Sequence, residues 1–579
     1  MMKLLSLLSF VLLFSLSINV SGQEKLVWWN PADSKTDVID GQGWPGKTKA
    51  FYDRLPSYAE GKVRDQVWGL SRNSAGLMIR FISNSKTIVV RYKVKGSLAM
   101  QHMPATGVSG VDLYAKSTVG EWEWCRGRRA FGDTVKYTFR GLPVKDDYHG
   151  KGRVYSLYLP LYNTVEWLEI GTLENSIFVP LERRQEKPVV VYGTSIAQGA
   201  CASRPGMAWT ALLERKMDRP LINLGFSGNG RLEPEMIELI SEIDAKVYVL
   251  DCLPNLVLGE KYSAEEVYNR IIRSVKQLKE KRPDVPVLLV DHASVHPDLN
   301  EVSHRAFGDL KAAGTKKLYL LTHNDIGLYY DSFVDGTHPN DYGMVHYAAA
   351  YERKLRDILN EPVGTLSTEL PVTQNRDAND YNWNNRHEEL LKMNREDPPE
   401  VCFFGNSITH FWGGKPAAEK VNGPKSWKKY FGKMNIRNFG FGWDRVENVL
   451  WRVYHDELDG FNAKQILLMI GTNNISINAT DDEITEGIRF LINAMKTRQP
   501  EAKITLIGIY PRKNYEDRIT MLNLKLAQMA ELEQINYTDP GKTLLNEDGK
   551  IDESLFLDGI HPNEKGYKKL GAEIIKQLK

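Results

Sequence analysis

Cysteine is scarce in this chain of 579 residues, which holds only Cys125, Cys201, Cys252 and Cys402. Their scatter fits neither a disulfide framework nor the close pairs of a zinc site, so each is expected to be a small buried apolar residue. Excess charge is missing too. The 75 Lys and Arg nearly cancel the 73 Asp and Glu. Without a basic surplus to neutralise phosphates, nucleic acid is not an expected partner. Long apolar runs are also lacking, apart from Leu4 to Leu16 in "MMKLLSLLSFVLLFSLSINVSGQEK". That run is short for a membrane span, follows a Lys and leads into small polar residues. It reads as a signal peptide over residues 1–22 and predicts export, to the periplasm or outside the cell. No Cys closes the run, so a lipoprotein anchor is not expected.

What is present is organised in blocks, and about 557 mature residues are too many for one core. Residues 24–185 read as β structure. In "TIVVRYKV" the alternation puts Ile88, Val90, Tyr92 and Val94 on one face, and "TVKYTFR" does the same with Val135, Tyr137 and Phe139. A jelly-roll-like β-sandwich is expected. From residue 187 to 360, continuous apolar runs such as "PVVVYGTS", "KVYVLDCLPN" and "PVLLVDHAS" alternate with amphipathic stretches. That is the pattern of an α/β domain with a buried parallel sheet. Residues 361–399 are rich in Pro, Asn and charge and read as a linker with one short helix. From 400 to 579 the α/β pattern returns with "EVCFFGNS", "QILLMIGTNN" and "KITLIGIYPR". Ser195 aligns with Ser407, Asp291 with Gly508 and His338 with His561, at offsets of about 210–225 residues. A period that long indicates a duplicated domain and not a solenoid.

Each α/β half carries the same ordered set of polar residues. A strand runs into Gly-x-Ser, with Ser195 in "VYGTS" and Ser407 in "FFGNS". A Ser there sits at the carboxyl end of a parallel sheet, where ligand sites form. Free N–H groups at the following helix start can receive an oxyanion. Gly-rich turns follow in "NLGFSGNG" and "NFGFGWD", then an Asn at a strand end, Asn255 in "LDCLPN" and Asn473 in "MIGTNN". Gly turns allow close backbone approach, and an Asn amide is a neutral oxyanion donor. Last come "DGTHPN" and "DGIHPN", which place Asp335 and Asp558 three residues before His338 and His561. A carboxylate at that spacing can hold a His tautomer and stabilise the imidazolium formed when the His takes a proton from Ser.

This ordered set resembles the SGNH, or GDSL-type, hydrolases. The resemblance implies flavodoxin-like α/β domains, a Ser nucleophile, a His base oriented by Asp, and an oxyanion hole from the Ser and Gly amides and the Asn side chain. The second half is similar to the platelet-activating-factor acetylhydrolase-like branch, which implies roles for Ser407, Asn473, Asp558 and His561. It departs from that branch at Trp443, where a Gly is usual. There the backbone N–H survives, and the indole is free to wall the acyl slot or stack on a sugar. The first half resembles a branch preceded by a β-domain with Gly-x-Asp-Leu-Tyr, here "GVDLY" at Gly110–Tyr114. It implies roles for Ser195, Gly228, Asp335 and His338; Asn255 fits less well, because "DCLPN" is not the usual Gly-x-Asn form. The family implies an esterase that needs no metal or organic cofactor. Its exported members with a β-module most resemble carbohydrate O-acetylesterases, so an acetylated glycan is the expected substrate. The alternatives are a lipid acyl hydrolase, or one half that has lost catalysis and serves as a glycan-binding module.

Other residues bear on the site. His292, His296, His304 and His323 form a His-rich patch without a zinc signature. His292 follows a parallel strand and is a candidate for the active-site rim. His410 and Trp412 in "THFW" are candidate substrate contacts, with core packing the ordinary reading for Trp412. Trp122 and Trp124 in "GEWEWCRGRRAF" fit a half-buried strand or a sugar platform.

Overall fold

The computed structural model describes residues 25–578 apart from 118–119, 145–150, 260, 295 and 377–379. The expected signal peptide lies outside the described residues. Two antiparallel sheets form the N-terminal region. One runs Leu26–Trp29, Val165–Leu173, Thr87–Val94, Val135–Arg140, Gly127–Ala130; the other runs Phe178–Pro180, Met78–Ser83, Arg153–Tyr158, Asp112–Lys116, Trp122–Trp124. Ile88, Val90, Tyr92, Val135, Tyr137 and Phe139 from the first sheet meet Ile79, Phe81, Leu113, Tyr155 and Leu157 from the second in one core. The period-2 alternation read from the sequence is what turns these side chains inward. A short helix, Asp65–Ser71, also lies in this region, where only strands were expected.

Each α/β half is built on a five-stranded parallel sheet. Numbered in chain order, both sheets have strand order 2-1-3-4-5. This is a doubly wound arrangement, with a switch point at strand 1. Strand 1 is Val189–Gly193 in the first half and Val401–Gly405 in the second, and every residue of both is buried. The apolar runs are continuous because both sheet faces are covered. Val190 and Tyr192 enter one core and Val189 and Val191 the other. Cys402 and Phe404 are divided from Val401 and Phe403 in the same way. All four Cys are buried and unpaired. No helix among the described residues is long and apolar enough to cross a membrane.

The segment expected as a linker is packed into the molecule. Its helix, Trp383–Glu396, buries Trp383, Arg386, His387, Leu390 and Leu391, and Trp383 and Leu390 join the core of the second α/β domain. Polar contacts join the two halves directly. Glu186 pairs with His455 at 2.5 Å, Lys246 with Asp456 at 2.5 Å and with Asp459 at 3.0 Å, and Arg219 donates to the Tyr454 carbonyl at 2.8 Å. The Gly-x-Asp-Leu-Tyr word joins the β-domain to the first half. Asp112 accepts from Arg204 at 2.7 Å, from the Gly206 N–H at 2.9 Å and from the Trp124 indole at 2.9 Å. Arg204 also lies over the Trp124 ring at 4.5 Å, and Lys116 over Trp122 at 5.0 Å. These two Trp residues therefore serve a half-buried, domain-joining strand.

Candidate active sites

Both nucleophile candidates stand on the first residue of a short helix directly after strand 1. In the first half the Thr194 hydroxyl accepts from the Ile196 N–H at 3.3 Å; in the second the Asn406 side-chain Oδ1 accepts from the Ile408 N–H at 2.9 Å. The cap takes one free donor of the helix start, and the N–H of Ser195 and of Ser407 is among the remaining donors there. Strand 2 passes close behind. A Cβ at Gly225 or Gly440 would lie 2.2 or 2.3 Å from the backbone nitrogen of Gln198 or His410. Only glycine allows that approach.

The repeated hexapeptide is a preformed acid–base unit. Asp335 Oδ1 accepts the N–H of Thr337 at 3.0 Å and of His338 at 2.8 Å, and Oδ2 faces His338 Nδ1 at 2.7 Å. Asp558 does the same with Ile560 at 3.0 Å, His561 N–H at 2.8 Å and His561 Nδ1 at 2.7 Å. Burial opposes ionisation of Asp335, but these bonds outweigh it and hold the carboxyl down at about 2; Asp558 is shifted the same way for the same reasons. With the carboxylate on Nδ1–H, Nε2 is left as acceptor. It takes the hydroxyl of Ser195 at 2.8 Å and of Ser407 at 2.9 Å, from 143 and 154 residues away. The final Asn of each word caps the next helix, Asn340 on Gly343 N–H at 3.0 Å and Asn563 on Lys565 N–H at 2.9 Å. The Asp, His and Asn of each hexapeptide therefore all have a place.

The oxyanion side is also duplicated. The turns Phe226–Asn229 and Phe441–Asp444 close with the same backbone bond, at 2.8 and 3.2 Å. Their third residues are left-handed in both, Gly228 at φ 68° and Trp443 at φ 64°. Gly228 and Trp443 are thus equivalent in the turn, each presenting a backbone N–H. The conformation is free for Gly but costs a bulky residue about 1–3 kcal/mol. Asn255 accepts the Gly230 N–H on Oδ1 at 3.0 Å, which leaves its Nδ2 amide as a donor. Asn473 Nδ2 donates one hydrogen to the Asp444 carbonyl at 2.9 Å and retains the other. The altered "DCLPN" thus sets Asn255 against the backbone just after the Gly228 turn. Each half can offer two backbone N–H groups and one amide to a developing oxyanion.

The further candidates fare differently. His292 is buried, its Nδ1 taken by Ser294. Desolvation, with His296 and His323 nearby, pushes its pKa down to about 3, so the buried ring is neutral. His410 is also buried and neutral, held at about 2 by desolvation and by Arg386 and Arg452. It accepts the Gly442 N–H at 3.1 Å and so braces the turn that carries Trp443. Trp412 is fully buried and donates to Ser426 Oγ at 3.0 Å; it is core.

Several residues around the sites went unread in the sequence. Arg54, 1% exposed, donates to the carbonyls of Asn223 and Gly225 at 3.1 and 2.8 Å and lies over Phe226 at 4.9 Å. Arg386 repeats this in the second half, donating to Asn438 at 3.2 Å, Gly440 at 2.9 Å and Pro416 at 3.0 Å, over Phe441 at 5.2 Å. Each oxyanion turn thus rests on a buried guanidinium from the segment before its domain. Asp444 adds a second brace, accepting from Arg452 at 2.9 Å, Trp383 at 2.8 Å and Gln374 at 3.0 Å. Beside the first relay lies the His102 ring, 6.1 Å from that of His338, and the Cys201 thiol, pushed up to about 11 by burial and by Asp335. No sequence signal links residues so far apart.

A Ser, a His and an Asp hydrogen-bonded in series at the switch point of each doubly wound sheet are the arrangement of a serine-type hydrolase, present twice. Comparison with known families agrees. Residues 186–356 and 403–569 each match a model of the GDSL-like lipase/acylhydrolase family. Residues 26–178 match the N-terminal GxDLY domain of SGNH-hydrolase-type esterases. The chain belongs to the GDSL-like family, with two hydrolase domains in tandem behind a GxDLY domain, and is a carboxylic ester hydrolase. Among its relatives is the human platelet-activating factor acetylhydrolase IB subunit alpha2, 28% identical over 207 residues, 34% of this chain and 86% of that protein. The human alpha1 subunit is 25% identical over 193 residues, 32% of this chain and 79% of that one. The crystal structure of a GDSL-like lipase from Bacteroides ovatus covers 58% of this chain and 98% of its own, at 29% identity and a TM-score of 0.52.

Proposed function

We propose that this protein is an exported O-acetylesterase of carbohydrates with two working active sites. The observation that carries the reading is the pair of relays, Ser195–His338–Asp335 and Ser407–His561–Asp558, with Nε2 at 2.8 and 2.9 Å from the hydroxyl. In each, Ser Oγ attacks the ester carbonyl as His Nε2 takes its proton, and Asp stabilises the imidazolium. The carbonyl oxygen gains the negative charge in front of the Ser and Gly228 or Trp443 N–H groups and the Asn255 or Asn473 amide. Collapse breaks the bond to the sugar oxygen, which leaves with the proton held on His. Water then repeats the sequence on the acyl-Ser, releasing the acid and restoring the hydroxyl. These steps use only the chain's residues and water.

The acetyl group is favoured by the likeness to acetylhydrolases. A carbohydrate is favoured by exposed aromatics framing both sites. Tyr329, Tyr330 and Tyr342, at 53, 85 and 47% exposure, flank the acid–base turn of the first, and Trp443, at 46%, stands at the second. Matching Ser–His–Asp geometry in the two halves favours two catalysts over one catalyst and a binding module. Export rests on the signal-peptide pattern. The test is acetate release from acetylated xylan, xyloglucan, pectin and sialoglycans by the wild type, Ser195→Ala, Ser407→Ala and the double variant. Each single variant is expected to keep part of the activity and the double variant none. If p-nitrophenyl acetate were cleaved but no glycan lost acetate, the substrate assignment would fall.

A further inference from the structure

Trp443 occupies the one place where the two sites differ most. Its counterpart Gly228 carries no side chain, yet both backbones take the same left-handed turn, at φ 64° and 68°. A bulky residue is a genuine outlier there. The surroundings over-determine the strained turn. The Trp443 carbonyl accepts from Arg376 at 3.0 Å. The preceding Gly442 is held through its N–H by His410 at 3.1 Å and through its carbonyl by Gln374 at 2.8 Å and Tyr381 at 2.8 Å. Asp444 on the other side is fixed by Arg452, Trp383 and Gln374. What all this holds is an indole that is 46% exposed. Core packing does not explain a large aromatic kept both strained and half in solvent. The same residue carries the backbone N–H proposed above as an oxyanion donor, so its ring belongs to the proposed second site.

We propose that the Trp443 indole is a sugar-ring platform that makes the second site selective for acetyl esters carried on a pyranose. The inference rests on the carbohydrate reading above. If the acyl group is acetyl, it is too small to use an indole, which leaves the ring to the alcohol side of the ester. A pyranose offers that side a broad C–H face with polar edges, matched to a rigid amphipathic aromatic. An enclosing wall for a long acyl chain would instead be buried along its length.

The test uses the full-length Ser195→Ala protein, so that only the second site turns over. It compares kcat/KM for an acetylated xylo-oligosaccharide with kcat/KM for p-nitrophenyl acetate. Trp443→Gly, which suits the left-handed turn, is expected to lower the oligosaccharide-to-nitrophenyl ratio at least tenfold, mainly through KM. Trp443→Phe, which keeps an aromatic face, should hold the ratio within about threefold. Thermal unfolding should show the Gly variant at least as stable as its parent, so that loss of fold cannot account for the change. A ratio unchanged within twofold in the Gly variant, in a parent that does deacetylate the oligosaccharide, overturns the platform alone. A parent that cleaves p-nitrophenyl acetate and no glycan overturns the carbohydrate reading for this site, and the platform with it.

Discussion

Replacing Arg386 by Met should disable the second site from beneath and leave the first intact. Arg386 is 5% exposed, and its guanidinium serves the carbonyls of Asn438, Gly440 and Pro416. Burial lowers its pKa to about 10, so it remains charged at neutral pH. Met keeps the aliphatic volume and avoids a large cavity, but it donates nothing. Each buried acceptor left unpaired costs about 1–3 kcal/mol. Three of them, partly relieved by relaxation, come to roughly 4 kcal/mol, a large share of the 5–15 kcal/mol that holds a typical domain. With a urea slope near 2 kcal/mol/M, the unfolding midpoint of the second domain should fall by about 2 M. Because Asn438 and Gly440 lead directly into the Trp443 turn, turnover by the second site, measured in Ser195→Ala, should fall with it. Turnover by the first site, measured in Ser407→Ala, is the internal control. A midpoint shift under about 0.5 M with unchanged second-site turnover would refute the claim that this guanidinium supports the turn.

The remaining predictions concern the sites themselves. Asn255→Ala and Asn473→Ala should each lower kcat of their own site by about 10²–10³ and leave the other unaffected, as expected for loss of one oxyanion donor; steady-state kinetics in the single-Ser backgrounds checks this. Asp335 is held at about 2, below its ordinary 3.8. Its stabilising bonds are therefore fully present above about pH 4 and lost only as pH falls through 2. The acid limb of the first site's rate profile should accordingly carry no Asp335 ionisation near pH 4, and a carboxylate NMR titration with a midpoint there would contradict the geometry.

The parts legible in sequence were those written in local words. "DGTHPN" and "DGIHPN" fold into themselves, since Asp bonds the N–H groups two and three residues on and Asn caps the helix that follows. Strand 1 and its Ser were legible because a doubly buried strand has one simple apolar pattern. The guanidinium braces were not, because Arg54 acts on carbonyls 169 and 171 residues away. Nothing in the local pattern around Arg54 or Arg386 separates a buried Arg from a surface one. His292 and His410 were candidates because each follows a strand end, but both rings are buried and bonded, to Ser294 and to the Gly442 N–H; Trp412, for which core packing was the ordinary reading, is buried on Ser426. The segment 361–399 looked like a linker because its composition is polar. Much of that polarity is spent on the Trp443 turn, through Gln374, Arg376 and Arg386. Trp443 itself was legible as a departure from the Gly at the matching turn; its strain was not, since φ is a property of the fold.

The central claim, two independent serine nucleophiles in one chain, is tested most directly by counting them. Labelling with a fluorophosphonate and weighing the intact protein should add two labels per wild-type chain, one to Ser195→Ala, one to Ser407→Ala and none to the double variant. A single label on the wild type, abolished by one of the two substitutions and untouched by the other, would contradict it.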